Sequence, residues 1–242
     1  MDALPPFHRA ALLLDMDGTL IDLAPTPDAV VVPAGLADTL TTLRDALDGA
    51  LAIVTGRPVE TVDRLFGNAP GAVAGEHGGA IRHRAGAPIE RVDLPSPPPA
   101  WLDVAEGLVR RFPGSLLERK ARGFALHFRQ VPEAREVFHA ALSALVGTSA
   151  GFDLHPAHML WEIRPSGADK GGAVVALMQH PPFAGRAPVF IGDDVTDEDG
   201  MRESRRRGGA GYRVDAVFGD TDGVRAWLRR SAERGDWATL PG

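Results

Sequence analysis

Ala10-Ala-Leu-Leu-Leu-Asp-Met-Asp-Gly-Thr-Leu20 is an apolar run that stops at an aspartate, with a second acid and a glycine directly behind it. Such a pattern reads as a buried parallel strand ending in a polar loop. Downstream, Leu36, Leu40, Leu43 and Leu47 recur at helical spacing behind Pro33-Ala34-Gly35, which predicts an amphipathic helix. Ala50-Leu-Ala-Ile-Val54 then reads as a second buried strand, ending at Thr55-Gly56-Arg57, and Pro58 suits the first turn of a helix running to about Phe66. Strand, helix, strand, helix predicts a parallel sheet.

From about residue 84 the texture changes, and the proline-rich Leu94-Pro-Ser-Pro-Pro-Pro99 looks like a boundary. The pattern beyond it predicts a helix over 101–111, strands over 114–120 and 123–129, a helix over 132–147, and strands over 151–155 and 158–164. Two helix-strand-strand units suggest a small antiparallel sheet with helices on one face. After Pro165 come a helix from Lys170, the buried strand Pro188-Val-Phe-Ile191, a polar loop over 192–199 and a last strand near Tyr212 to Val214. The expected fold is α/β: a doubly wound, Rossmann-like parallel core formed by residues 1–83 and 165–242, with an α+β subdomain inserted over 84–164.

Composition narrows the function. With 26 basic against 32 acidic residues the net charge is -6, so no overall field gathers a polyanion such as nucleic acid. The chain has no cysteine, which excludes disulfides, thiolate metal sites and a cysteine nucleophile. The segment up to Leu14 carries Asp2, Pro5-Pro6 and one short apolar run, too little for a signal peptide or a membrane span. The expectation is a soluble protein of the cytoplasm with neither membrane nor nucleic acid as partner.

Reactive groups of an open parallel sheet gather beyond the carboxyl ends of its strands. Three predicted strands end in polar clusters there: Asp15 with Asp17, Thr55 with Arg57, and Asp193 with Asp194, while Lys170 begins the helix before the third strand. Carboxylates forced together repel unless a cation sits among them, and oxygen ligands select a hard ion such as Mg²⁺. Lys170, the Thr55 hydroxyl and backbone N–H groups after Asp15 would supply positive charge and donors to a phosphate monoester. In that setting Asp15 is assigned as a nucleophile attacking phosphorus. Asp17 is assigned as the acid that protonates the leaving oxygen and the base that later activates water.

These stretches resemble the four ordered motifs of the haloacid dehalogenase superfamily: Leu14-Asp-Met-Asp-Gly-Thr-Leu20, Thr55-Gly-Arg57, Lys170, and Gly192-Asp-Asp-Val-Thr-Asp-Glu198. The resemblance implies an aspartyl-phosphate at Asp15. It also implies a metal held by Asp15, by Asp17 through its main-chain carbonyl, and by Asp193, with Asp194 directly or through water. Further stretches are similar to trehalose-phosphate phosphatases: Pro25-Thr-Pro-Asp28, Gly75-Glu-His-Gly78, Glu118-Arg-Lys120, Ala125-Leu-His-Phe-Arg129 and Trp161-Glu-Ile-Arg-Pro165. That similarity spans nearly the whole chain. It implies trehalose 6-phosphate as substrate, a cap that clamps the disaccharide through Glu118, Lys120 and Glu162, and a functional link to a trehalose-6-phosphate synthase. Strand periodicity agrees: residues 118 and 120 share a face, and Glu162 points away from Met159, Trp161 and Ile163.

Each position also has a plainer reading. Asp193 and Asp194 suit a helix N-cap pair, Thr196 or Asp197 a cap as well, and Glu118 with Lys120 a cross-strand ion pair. His77 serves either hinge packing or substrate contact. Arg57 and Arg129 serve anion binding or pairing at the surface, and His127 is read as structural. The alternatives at the level of function are another sugar phosphate, such as sucrose phosphate or a mannosyl phosphoglycerate, and a non-catalytic phosphosugar-binding domain.

Overall fold

The computed structural model describes residues 2–24, 29–91, 94–120, 122–157, 159–166 and 169–241. The motif at 25–28 lies outside the described residues. The chain divides into two compact units, Met1–Val92 with Asp169–Gly242, and Asp93–Ala168.

The first unit is built on a seven-stranded sheet. Its strands are β1 (Ala10–Leu14), β2 (Leu51–Val54), β3 (Ala72–Gly75), β4 (Ala80–Arg82), β5 (Glu90–Arg91), β10 (Ala187–Gly192) and β11 (Ala210–Arg213). In spatial order they run β11-β10-β1-β2-β3-β4-β5. From β11 to β3 every pairing is parallel; β4 and β5 join antiparallel. All of β1, β2 and β3 is buried, as expected of strands covered on both faces. The antiparallel extension was not expected. Because Glu90 pairs with Ile81 and Arg91 with Ala80, the chain remains in the first unit beyond residue 84, where the sequence pattern set a boundary.

Helices α1 (Leu36–Ala46), α2 (Val59–Phe66), α5 (Lys170–Leu177), α6 (Asp197–Arg206) and α7 (Thr221–Arg234) complete this unit. The chain runs outward from β1 to β2 through α1, and in the opposite direction from β10 to β11 through α6. Parallel crossovers are right-handed, so α1 and α6 lie on opposite faces. The α1 helix packs with α7, and α6 with α5, giving the doubly wound arrangement expected. Phe7, Trp227 and Trp237 close one end of this core, with Trp227 and Trp237 stacked at 5.4 Å.

Asp2 ties the amino-terminal segment to β11. Its carboxylate accepts from Arg205 Nε at 2.6 Å and from the Gly211 N–H at 3.1 Å, while its carbonyl accepts from the Tyr212 hydroxyl at 2.7 Å. Tyr212 is the chain's single tyrosine. Burial, with the Asp2 carboxylate adding to it, pushes the phenol from 10.0 up to about 12. The folded state therefore holds this proton more tightly than the unfolded chain does. Its contribution to stability is complete below the ordinary phenol range and is lost as pH rises through the folded value. An ultraviolet titration is expected to show one phenolate transition near 12 in the native protein and one near 10 in denaturant. Equal transitions in the two states would contradict the buried hydroxyl.

The second unit carries α3 (Pro99–Arg111) and α4 (Arg135–Val146) with a four-stranded sheet of β6 (Leu116–Arg119), β7 (Phe124–His127), β8 (Phe152–Ala157) and β9 (Leu160–Pro165). Its order is β6-β7-β9-β8, antiparallel throughout. Trp101, Leu108, Phe124, Leu126, Phe138, Leu142, Trp161 and Ile163 form its own apolar core. The alternation of β7 and β9 thereby assigns the intervening residues, Ala125 and Glu162, to the other face of the sheet.

Candidate active site

Beside each other in the sheet, β1 and β10 send the chain in opposite directions, which opens a crevice at their carboxyl ends. Asp15 follows β1 directly, and Asp193 follows β10. Register holds the two strand ends level: Leu14 faces Ile191, and the Asp15 N–H donates to the Ile191 carbonyl at 2.9 Å.

The loop after Asp15 is tightly wound. The Met16 carbonyl accepts from the N–H groups of Leu20 and Ile21 at 2.9 and 3.0 Å. Gly18 takes φ 79°, and a Cβ there would lie 2.2 Å from Asp193 Oδ2, so both the backbone and the available space require glycine. Thr19, fully buried, shares one hydroxyl proton between Asp15 Oδ2 at 3.2 Å and Asp193 Oδ1 at 3.3 Å.

Lys170 opens α5 and is only 3% exposed. Its Nζ donates to Asp15 Oδ1 at 2.5 Å and to Asp197 Oδ1 at 2.6 Å. The other oxygen of Asp197, itself fully buried, accepts the backbone N–H groups of Asp193 and Asp194 at 3.1 and 3.0 Å. Burial raises Asp15 well above the usual carboxylate range, with Asp197 and then Asp193 adding to it against the pull of Lys170. Burial and Asp197 likewise raise Asp193. Burial alone would depress Lys170, but Asp15 and Asp197 outweigh it and hold the ammonium firmly charged.

Asp15, Asp193 and Asp197 each present an oxygen, and the three oxygens lie within 4.8 Å of one another. Three carboxylates around Lys170 leave an excess of negative charge, which adds to burial in raising Asp15 and Asp193. The donor set is all oxygen and short of positive charge, so it fits a hard divalent cation.

Asp17 is placed differently. Arg57 grips its carboxylate through Nε at 2.8 Å and Nη2 at 2.6 Å. Arg57, expected to meet an anion or a surface partner, is thus committed in this structure to the second aspartate of the loop. Thr55 reaches the same edge through β2, and its hydroxyl accepts the Arg57 N–H at 3.2 Å. The His77 imidazole lies over Gly56, where a Cβ would come 2.6 Å from Nε2. Glu76 and His77 both hold left-handed backbone, φ 53° and 55°, an uncommon state for such residues. Asp194 is exposed, turns to the Val195 N–H at 2.7 Å, and stands outside the three converging oxygens. The third of those oxygens belongs to Asp197, whose carboxylate is already engaged by Lys170 and by the loop N–H groups.

In the second unit, register sets Glu118, Ala125, Glu162 and His155 side by side across the sheet. Lys120 Nζ donates to the buried Glu162 at 2.6 Å, and Glu118 meets His127 Nε2 at 2.8 Å. Glu118 and Glu162 therefore belong to one sheet, Lys120 follows the last residue of β6, and His127 partners Glu118. Arg129 is exposed beyond the end of β7.

A family model described as Trehalose-phosphatase matches residues 13–228. The chain is 40% identical over 241 residues to a probable trehalose-phosphate phosphatase of Sinorhizobium fredii, covering 95% of this chain and 87% of that one. It is 37% identical over 207 residues to the trehalose-6-phosphate phosphatase of Escherichia coli, covering 85% and 77%. Among solved structures, the trehalose-6-phosphate phosphatase C-terminal domain of C. albicans shares the fold with a TM-score of 0.77 at 20% identity, covering 93% of this chain and 92% of that one. A match across both units, with the four site motifs inside it, leaves one conclusion: this chain belongs to the trehalose-phosphatase family.

Proposed function

We propose that this protein hydrolyses trehalose 6-phosphate to trehalose and phosphate through a phosphorylated Asp15. The observation that carries the reading is the Asp15 carboxylate, pinned by Lys170 at 2.5 Å within a buried carboxylate cluster at the switch point of the sheet. The cofactor is Mg²⁺, held by Asp15, Asp193 and the Asp17 carbonyl, with Asp194 at the margin. When bound it neutralises charge on the phosphoryl oxygens as a Lewis acid.

The chain's own groups account for the remaining steps. Lys170 fixes one oxygen of Asp15 and leaves the other, Oδ2, to attack phosphorus. As the phosphorus–oxygen bond to the sugar breaks, Asp17 gives its proton to the leaving oxygen, and trehalose departs. Asp17 then takes a proton from the water that attacks the aspartyl-phosphate, which frees phosphate and restores Asp15. Arg57 orients Asp17 in this structure through both carboxylate oxygens. The Thr55 hydroxyl and Lys170 serve the phosphoryl group. Glu118, Lys120 and Glu162, with His77 and Arg129, serve the sugar, since acceptors and donors side by side suit hydroxyl groups. Within this reading the second unit is the specificity cap, and a trehalose-6-phosphate synthase supplies the substrate.

Phosphate release from trehalose 6-phosphate is expected with Mg²⁺ and not with chelator, and release from sucrose 6-phosphate is expected to be slow. Equal turnover of the two sugars would remove the assigned substrate. Glu162→Gln leaves Lys120 without its charged partner and is expected to raise KM for trehalose 6-phosphate about tenfold or more, while p-nitrophenyl phosphate turns over as before. Equal losses on both substrates would contradict the clamp.

A further inference from the structure

Arg213 ends β11 and sits in register with Gly192, the last residue of β10. Its three nitrogens are each engaged. Nη2 donates to the Asp193 carbonyl at 2.7 Å, Nη1 to Glu198 in the first turn of α6 at 2.9 Å, and Nε to Asp215 at 3.0 Å. The peptide joining Asp193 to Asp194 is therefore gripped at both ends: Arg213 holds its carbonyl oxygen, and Asp197 Oδ2 holds its N–H at 3.0 Å. A peptide fixed on both sides of its plane cannot rotate without breaking a charge-assisted hydrogen bond. The Asp193 side chain leaves the chain at that peptide, and its Oδ1 faces the Thr19 hydroxyl beside Asp15.

We propose that Arg213 is a positioning residue for Asp193, setting through one peptide plane the direction in which this carboxylate meets a divalent cation. The inference rests on the reading of the cluster as a Mg²⁺ site. Lysine cannot replace the arginine, because a point charge on a flexible stem does not reach a carbonyl and two carboxylates from one rigid fork. Loss of a group that orients a metal ligand typically weakens metal binding by 10–100-fold.

Calorimetric titration of the metal-free protein with Mg²⁺ tests this, with far-UV circular dichroism confirming the fold of each variant. Arg213→Met and Arg213→Lys are both expected to raise the Mg²⁺ dissociation constant about tenfold or more. Asp215→Asn, which removes the charge from one partner of the fork and leaves the bond to the Asp193 carbonyl, is expected to bind Mg²⁺ within about twofold of wild type. A wild type that binds Mg²⁺ and an Arg213→Lys variant that is folded and binds it equally well would overturn the positioning role alone. A folded wild type that binds no Mg²⁺ would overturn the metal reading on which it rests.

Discussion

Asp15→Asn is expected to eliminate turnover of every phosphomonoester and at the same time to yield a protein that, free of metal, melts at a higher temperature than wild type. The activity loss follows from chemistry: an amide oxygen is a poor nucleophile, and removal of the attacking group in covalent catalysis costs on the order of 10³-fold or more. The stability gain follows from the site. Burial, Asp197 and Asp193 all oppose the charge on Asp15, so its folded value stands above that of the unfolded chain. Above the unfolded value, ionisation of this residue works against the fold, and a neutral residue of the same shape relieves the repulsion. Lys170 keeps Asp197 as its partner at 2.6 Å. Thermal melts with and without Mg²⁺ check the prediction: the asparagine variant gains relative to wild type in chelator. A metal-free asparagine variant that melts lower would show that the Lys170 bond outweighs the carboxylate repulsion.

The opposite outcome is expected at Lys170. Lys170→Met keeps the length of the side chain but removes the cation that bridges Asp15 and Asp197, both buried. Breaking a buried pair from one side costs about 3–5 kcal/mol, because the remaining charge has neither water nor partner. Here two carboxylates are left, one of which also holds the loop through the N–H groups of Asp193 and Asp194. A urea titration is expected to show that loss in the metal-free protein, partly recovered with Mg²⁺ because a divalent cation restores the missing charge. A metal-free variant as stable as wild type would mean that the carboxylates are already protonated in the fold.

Much of this was legible in the sequence because strand ends announce themselves. Apolar runs cut off at Asp15, Thr55 and Asp193 identify a parallel sheet and place its polar edge from local pattern alone. Lys170 stood out as a positive charge at a helix start, where the macrodipole disfavours it. Asp197 was harder. It opens the acidic turn Asp197-Glu198-Asp199, where carboxylates favour the helix dipole, so capping already accounted for it. Only the packing of α5 on α6 turns it toward Lys170 and buries it. Arg213 carried no signal either, being one of many arginines and made special by the alignment of β11 beside β10. The β4 and β5 extension escaped because five residues of strand, two of them exposed, present too short a pattern to register. The pairing of Arg57 with Asp17 joins residues far apart in the chain, and no local spacing encodes it.

The proposed reaction requires a phosphoryl group on Asp15 itself, and the Asp17→Asn variant is expected to trap it there. With p-nitrophenyl phosphate the leaving group needs no proton, so the first step proceeds without Asp17 while the second, lacking its base, stalls. A rapid burst of nitrophenolate equal to the enzyme present, together with a phosphoryl group found by mass spectrometry on the peptide containing Asp15, is the predicted result. Steady release of nitrophenolate with no burst and no modified Asp15 peptide would contradict the account.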